Sequence, residues 1–312
     1  MNMRYEKEQN FISAVVYLYN QEKEAARFLE RLSGGLSEIF EKFEIICVDD
    51  ASADGSAQEV RRFAGSHPEI MVSLLHMSFY QGQERSVNAG LDLAIGDYVY
   101  EFDSLRSDYP APLIQDVYFH SQKGFDIVCA APRRKAGCGS GLFYSVFNRT
   151  AHTQYMLRTE AFRLLSRRAI SRVHAMNMVI PYRKAVYANC GLKMDTLYFE
   201  GKDEGRADRR TRQSRRDTAV DALIMYTDLT WHCSVLFSLV MALIAAGSGA
   251  YAVFVYCSGR PVAGWTTTML ILSGGFLGVF VLLTVLIKYV SMILKLLSNR
   301  QKYLVESVEK LR

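Results

Sequence analysis

Proline is scarce, six in 312 residues, which excludes a proline-rich linker or a collagen-like repeat. Cysteine is as scarce, and Cys47, Cys129, Cys138, Cys190, Cys233 and Cys257 show no CxxC spacing. A zinc site or a disulfide framework is therefore not expected, and free thiols in a reducing compartment are. No GxxxxGK loop occurs, and no GxGxxG follows the first strand-like run, which argues against a P-loop nucleotidase and a dinucleotide enzyme. Met1 to Asn10 holds no apolar signal-peptide core, so the first domain is expected not to be exported. The most informative lack is of charge. None stands between Leu229 and Gly259 or between Pro261 and Ile287, with Arg260 alone between the two runs. The overall 50% hydrophobic and 22% charged content hides that split, which reads as a membrane protein with a large water-soluble part.

Each uncharged run exceeds the ~20 apolar residues a helix needs to span a bilayer. Spans are expected at about 231–257 and 265–290 within a 231–297 membrane unit, joined by a short turn into an antiparallel hairpin. Gly247, Gly249, Gly274, Gly275 and Gly278 would let the two helices approach closely, or are the ordinary glycine of membrane helices. Before the first span, Arg206, Arg209, Arg210, Arg212, Arg215 and Arg216 face one acid, Asp208; after the second come Lys288, Lys295, Arg300 and Lys302. Positive flanks stay inside, so both termini and the soluble domain are expected at the cytoplasmic face of the cell membrane. The basic block before an apolar run points to anionic headgroups rather than to nucleic acid. The segment 206–230 reads as a basic stretch followed by an interfacial helix, and 298–312 as a cytoplasmic amphipathic tail, expected to be a short helix from the stripe Leu304, Val308, Leu311.

Residues 11–205 alternate strand-like and helix-like segments. Strands are expected at Ile12–Leu18, Glu44–Val48, Met71–His76 and Tyr98–Phe102, and helices at Glu22–Leu32, Ser56–Ala64 and Glu84–Ile95. This rhythm predicts a parallel α/β sheet, in which ligands bind beyond the carboxyl ends of the strands. Those ends are Tyr19-Asn20, Asp49-Asp50 and Asp103. Asp49 or Asp50 can accept hydrogen bonds from a base or a ribose. Asp103 can ligate a divalent cation on a diphosphate and so help it leave. Gly137 to Gly141 is either a lid or a plain flexible loop, and Phe143, Tyr144, Phe147 and Tyr155 either line an acceptor groove or pack in the core. His152, with no visible partner, reads as structural.

These segments resemble glycosyltransferase family 2, in particular its polyisoprenyl-phosphate sugar synthases. SAVVYLYNQEKEAARFLERL from Ser13 resembles the opening strand, turn and helix of that family. FEIICVDDASADGS at 43–56 is similar to its Asp-Asp-x-Ser-x-Asp-Gly-Ser element, and HMSFYQGQERSVNAGLDLAIGDY at 76–98 to its Gly-Lys-Glu helix. SGLFYSVFNR at 140–149, EAFRLLSRRAI at 160–170 and IPYRKAVYANCGLKMDTLYFE at 180–200 resemble later segments. The resemblance implies a Rossmann-like GT-A domain for nucleotide-diphospho-sugars, followed by the transmembrane hairpin. It implies that Tyr19, Glu22, Asp49, Asp50 and Gly82 border the nucleotide and that Arg133 or Arg134, together with Arg163, faces the phosphates of donor or acceptor, Arg163 taking part in catalysis with Asp103. It implies Mg2+ or Mn2+ at Asp103, the first aspartate of an Asp-x-Asp element. Here that element is degenerate: Leu105 stands at its second aspartate and Ser107 at the glutamine beyond, so Glu101 or Asp108 is the candidate second ligand. Ala161 replaces an aspartate before Phe-Arg-Leu, and Tyr17-Leu18 replaces a Pro-Val pair.

The expected activity is inverting transfer of a sugar from a nucleotide-diphosphate donor to a polyisoprenyl phosphate or other lipid-linked acceptor in the cell envelope. The alternative is a catalytically impaired relative that binds nucleotide-sugar or scaffolds. The expected partners are the donor, the lipid phosphate and the membrane, without nucleic acid and with a homo-oligomer left open.

Overall fold

The computed structural model describes residues 7–105, 108–133, 138–151, 154–176, 182–201 and 303–311, with scattered helical positions between 219 and 293. It divides into two compact units, Met1–Ala222 with Gln301–Arg312, and Leu223–Arg300.

The first unit is a mixed α/β sheet domain. Its order of elements is β1 (Ile12–Leu18), α1 (Glu22–Ile39), β2 (Phe43–Asp49), α2 (Ser56–Ser66), β3 (Met71–Met77), α3 (Gln83–Leu93), β4 (Tyr98–Phe102), α4 (Leu113–Ser121) and β5 (Ile127–Pro132). Then follow α5 (Cys138–Thr150), β6 (Phe162–Ser166), α6 (Arg167–Ala175), α7 (Arg183–Asn189), β7 (Met194–Phe199) and β8 (Val305–Lys310). The eight strands lie in the order β7-β5-β6-β4-β1-β2-β3-β8. Strands β4, β1, β2 and β3 run parallel, and β6 runs antiparallel to both β4 and β5. The carboxyl ends of β1, β2, β4 and β5 therefore share one edge of the sheet.

Strand β1, ISAVVYL, is buried at every position because helices cover both faces of the sheet. On one face Ala14, Val16 and Leu18 join Phe28, Leu29 and Leu36 of α1, Val60 and Phe63 of α2, and Ile114 and Val117 of α4 in the main core. On the other face lies α3. A Cβ at Gly90 would come within 2.5 Å of Val15 and 2.7 Å of Val48, so the missing side chain is what lets α3 reach β1 and β2.

Two local expectations are corrected. The tail is not a helix: Val305–Lys310 pairs antiparallel with β3, from Ser73 opposite Lys310 to Met77 opposite Val305. The open edge of β3 offers a ladder of unsatisfied backbone groups, and filling it outweighs the weak helical stripe. The glycine-rich 137–141 stretch is not a loop throughout, because α5 begins at Cys138.

In the second unit, positions Gly278 and Gly274 come close to Met241 and Ile244 respectively. As one segment advances the other recedes, so these positions run antiparallel. Among the described residues nothing comes within 4 Å of a Cβ placed at Gly247 or Gly275. Among the described residues no helix is long and apolar enough to cross a membrane. Most of the expected spans, the arginine block and the interfacial helix lie outside the described residues.

Candidate active site

The shared sheet edge carries two groups of functional side chains, one beyond β1 and β2 and one beyond β4 and β6.

The first group is a knot of two turns. Asn20 and Ala51, which follow the ends of β1 and β2, both take positive φ, 50° and 56°. Asparagine tolerates this region, whereas alanine is strained in it. Cross-bonds hold the strain in place. The Asn20 amide donates to Ser52 Oγ at 3.0 Å, and the Ala53 amide to Asn20 Oδ1 at 2.8 Å. The Gln21 amide donates to Ser56 Oγ at 2.8 Å, and the Glu22 amide to Asp54 Oδ2 at 3.0 Å. Glu22, exposed in the first turn of α1, accepts from the Gly55 amide at 3.1 Å. Tyr19 is buried, its ring 4.6 Å from that of Tyr80. Asp49 accepts from the Ser52 amide at 3.2 Å and meets His76 Nδ1 at 3.3 Å.

Asp50 is fully buried. It accepts from the Gln81 amide at 2.7 Å, the Gly82 amide at 2.9 Å and the Tyr17 hydroxyl at 3.0 Å. Burial raises its pKa and outweighs these bonds. Asp50 thus fastens the start of α3, where Gly82 turns the chain at φ 87°, and the carboxyl expected to border a nucleotide is spent inside the protein. Tyr17, one of the departures from the family pattern, supplies one of its partners.

The second group is a buried ionic cluster. Glu101, the penultimate residue of β4, and Asp103, just past its end, project on one side of the strand. Arg163 of β6 donates through Nη1 to Glu101 at 2.7 Å, through Nη2 to Asp103 at 3.0 Å and through Nε to Glu160 at 2.9 Å. Arg183 of α7 donates through Nε to Glu101 at 3.0 Å and through Nη2 to Asp103 at 2.8 Å. Its Nη1 donates to the backbone carbonyls of Gln83 and Glu84, and its amide to Glu84 Oε2 at 2.9 Å. The Tyr187 hydroxyl donates to Glu101 Oε2 at 2.8 Å. Both guanidinium groups are 1% exposed and Glu101 is 0% exposed. Burial alone would raise Asp103, but Arg163 and Arg183 outweigh it and hold its carboxyl well below the usual range. Burial also acts against the charge on Lys184, yet Glu160 and its other neighbours leave its pKa raised.

The first group contains Tyr19, Glu22, Asp49, Asp50 and Gly82. The second joins Asp103, Glu101 and Arg163. Arg133 is exposed just beyond β5 at the same edge, its amide held by the Phe199 carbonyl at 2.8 Å, while Arg134 and His152 lie outside the described residues. Arg163 is corrected: all three arms of its guanidinium face carboxylates of its own chain, so it does not present itself to a phosphate. Asp108 stands against position 201, just past the end of β7. Phe143, Phe147 and Tyr182 pack together, with Phe147 fully buried.

The divalent ion implied for Asp103 does not fit these residues. All four oxygens of Glu101 and Asp103 receive hydrogen bonds from Arg163, Arg183 or Tyr187. Leu105, at the missing aspartate, is packed in the main core. No group of three metal-ligating side chains exists among the described residues.

Sequence reading missed Glu84, Glu160, Arg183, Lys184, Tyr187 and His76. Arg183 and Tyr187 carried a signal, being four apart on one helix face with both reaching Glu101.

Comparison with known proteins agrees with the family resemblance. The chain is 27% identical over 195 residues to an uncharacterized glycosyltransferase of Synechocystis, an alignment covering 61% of this chain and 60% of that one. It is 28% identical over 200 residues to undecaprenyl-phosphate 4-deoxy-4-formamido-L-arabinose transferase of Pectobacterium atrosepticum, again covering 61% and 60%. The match thus spans 60% of the length of these curated relatives. A solved mannosyltransferase of Pyrobaculum calidifontis, in complex with GDP-Man and Mn2+, superposes with a TM-score of 0.47 at 16% identity, over 87% of this chain and 88% of that one. The family profile named Glycosyl transferase family 2 covers residues 13–186, from the second residue of β1 into the helix that carries Arg183. By that match, and with the knotted turns and the acidic end of β4 both inside it, the chain belongs to glycosyltransferase family 2.

Proposed function

We propose that this protein is a membrane-anchored, inverting glycosyltransferase. It moves a sugar from a nucleotide-diphosphate donor to a polyisoprenyl phosphate or a similar lipid-linked acceptor at the cytoplasmic face of the cell membrane. The observation that carries this reading is the gathering of Asp49, Asp103 and Arg133 at one sheet edge, at the carboxyl ends of β2, β4 and β5. Strand spacing of ~4.8 Å puts Asp49 and Asp103, two strands apart, on the order of 10 Å from each other, the scale of a nucleoside with its phosphates.

In this reading Asp49, braced by His76 and the Ser52 amide, faces the base or ribose. The exposed Arg133 offers a planar fork to a phosphate. The acceptor's phosphate oxygen is already ionised and needs no strong general base. Direct displacement opposite the leaving diphosphate inverts the sugar carbon, and the protein contributes orientation and fixed charge. The lipid acceptor draws support from the Pectobacterium relative, whose name states one. It also draws support from the second unit, where Leu236, Leu243 and Leu286 are exposed apolar residues. Two apolar, antiparallel segments with basic flanks suit a hairpin that holds the site near headgroups.

A panel of nucleotide-sugars, offered to the detergent-solubilised full chain with undecaprenyl phosphate, tests this. One donor should yield a lipid-linked sugar. No product from any donor, with intact nucleotide-diphosphate binding, would leave a binding or scaffolding subunit instead.

A further inference from the structure

The Arg163–Arg183 pair does more than fill space. The carboxylates of Glu101 and Asp103 are where a cation would be recruited, yet each oxygen is within 3.0 Å of a donor from this chain. A divalent ion binds oxygen at ~2.0–2.6 Å, and here it would be pressed against two guanidinium groups of like charge. Displacing either arginine would strand a buried cation, because both side chains are 1% exposed. Arg183 is further anchored by the carbonyls of Gln83 and Glu84 at 3.1 and 2.7 Å, and Arg163 by Glu160 at 2.9 Å. The sequence change agrees with the geometry: Leu105, which cannot ligate, is absorbed into the core.

We propose that this site works without a divalent cation, Arg163 and Arg183 being the resident positive charges on the acidic end of β4. Where the proposal concerns the nucleotide, it rests on the donor reading above. Donor nucleotide then binds without metal, and the anchored arginines keep the end of β4 neutral and rigid beside it. As positioning residues they act through Asp103 and Glu101 and touch no substrate themselves.

The test uses the full chain in detergent, stripped with EDTA and desalted. In a Mn2+ titration followed by electron paramagnetic resonance, the free-ion signal should track total Mn2+ with no stoichiometric step. A one-to-one step that disappears in Asp103→Asn overturns the proposal. In a second arm, calorimetry with UDP and GDP compares Mn2+ with EDTA. Affinities should agree within about twofold, and a gain of about tenfold or more with Mn2+ overturns the proposal. If neither nucleotide binds in either buffer, the donor reading fails for those bases, and the Mn2+ titration still decides the question of the metal.

Discussion

The two halves of the site edge are built on opposite principles. Beyond β1 and β2, backbone amides bonded to serine, asparagine and carboxylate side chains knit two turns together without an arginine or lysine, and the strain at Ala51 is carried by short bonds around it. Beyond β4 and β6, opposite charges from segments some 60 to 80 residues apart meet out of water, as the separation of 62 between Arg163 and Glu101 and of 80 between Arg183 and Asp103 attests. The first half joins segments 31 to 35 residues apart, and the second joins segments about twice as far apart. The first therefore tolerates exposure and exchange of partners, and the second has no such latitude.

The largest effect is expected where that latitude is least. Arg183→Ala removes one partner of a buried cluster and should cost ~3–5 kcal/mol in denaturant unfolding. Asp50→Asn in the other half should cost less, ~1.5–3 kcal/mol, because it weakens bonds to two amides and a hydroxyl without unbalancing a cluster. Equal losses from the two substitutions would erase the contrast.

Acid sharpens it, since the two aspartates shift in opposite directions. Asp103 has a lowered folded pKa, so its stabilisation is complete above the ordinary aspartate value of ~3.9 and is lost as pH falls through that range. Asp50 has a raised folded pKa, so its penalty is present at neutral pH and is relieved as pH falls. Plotted against pH, the stability of Asp103→Asn should fall less steeply in acid than that of the natural chain, and the stability of Asp50→Asn more steeply. Parallel curves would show that the two carboxyls share one environment.

Smaller effects concern the turn and the tail. Ala51→Gly should stabilise by at most ~1 kcal/mol, as relief of positive φ is partly offset by a freer unfolded chain. At the sheet edge, Arg61 and Glu309 pair at 2.7 Å with both side chains substantially exposed. Arg61→Ala should cost no more than ~1 kcal/mol by the same unfolding measurement. The Arg61 bond holds the Glu309 carboxyl down at about 2.

The contrast also explains what could be read from sequence. Elements set by neighbours along the chain were legible: β1 and β4 fall at Ile12–Leu18 and Tyr98–Phe102 as the apolar runs dictate. Helix α1 runs on to Ile39 past Gly34 and Gly35, which look like a stop, because burial of Leu36 and Ile39 outweighs two poor helix formers. The location of Asp49, Asp50 and Asp103 at strand ends was legible too. Their partners were not. Nothing local announces that Arg183 reaches Asp103, or that Asp50 caps a helix from 31 residues away through the Gln81 amide. The strand β8 was hidden for the same reason, since its partner β3 lies more than two hundred residues earlier.

The most direct measurement compares transfer of labelled sugar from nucleotide donor to undecaprenyl phosphate by the natural chain and by Asp103→Asn, in membranes, with folding checked by the same unfolding curve. The natural chain should form the lipid-linked product and the variant should not, though folded. An undiminished rate in the variant would contradict the claim that the sheet edge carrying Asp103 serves the transfer.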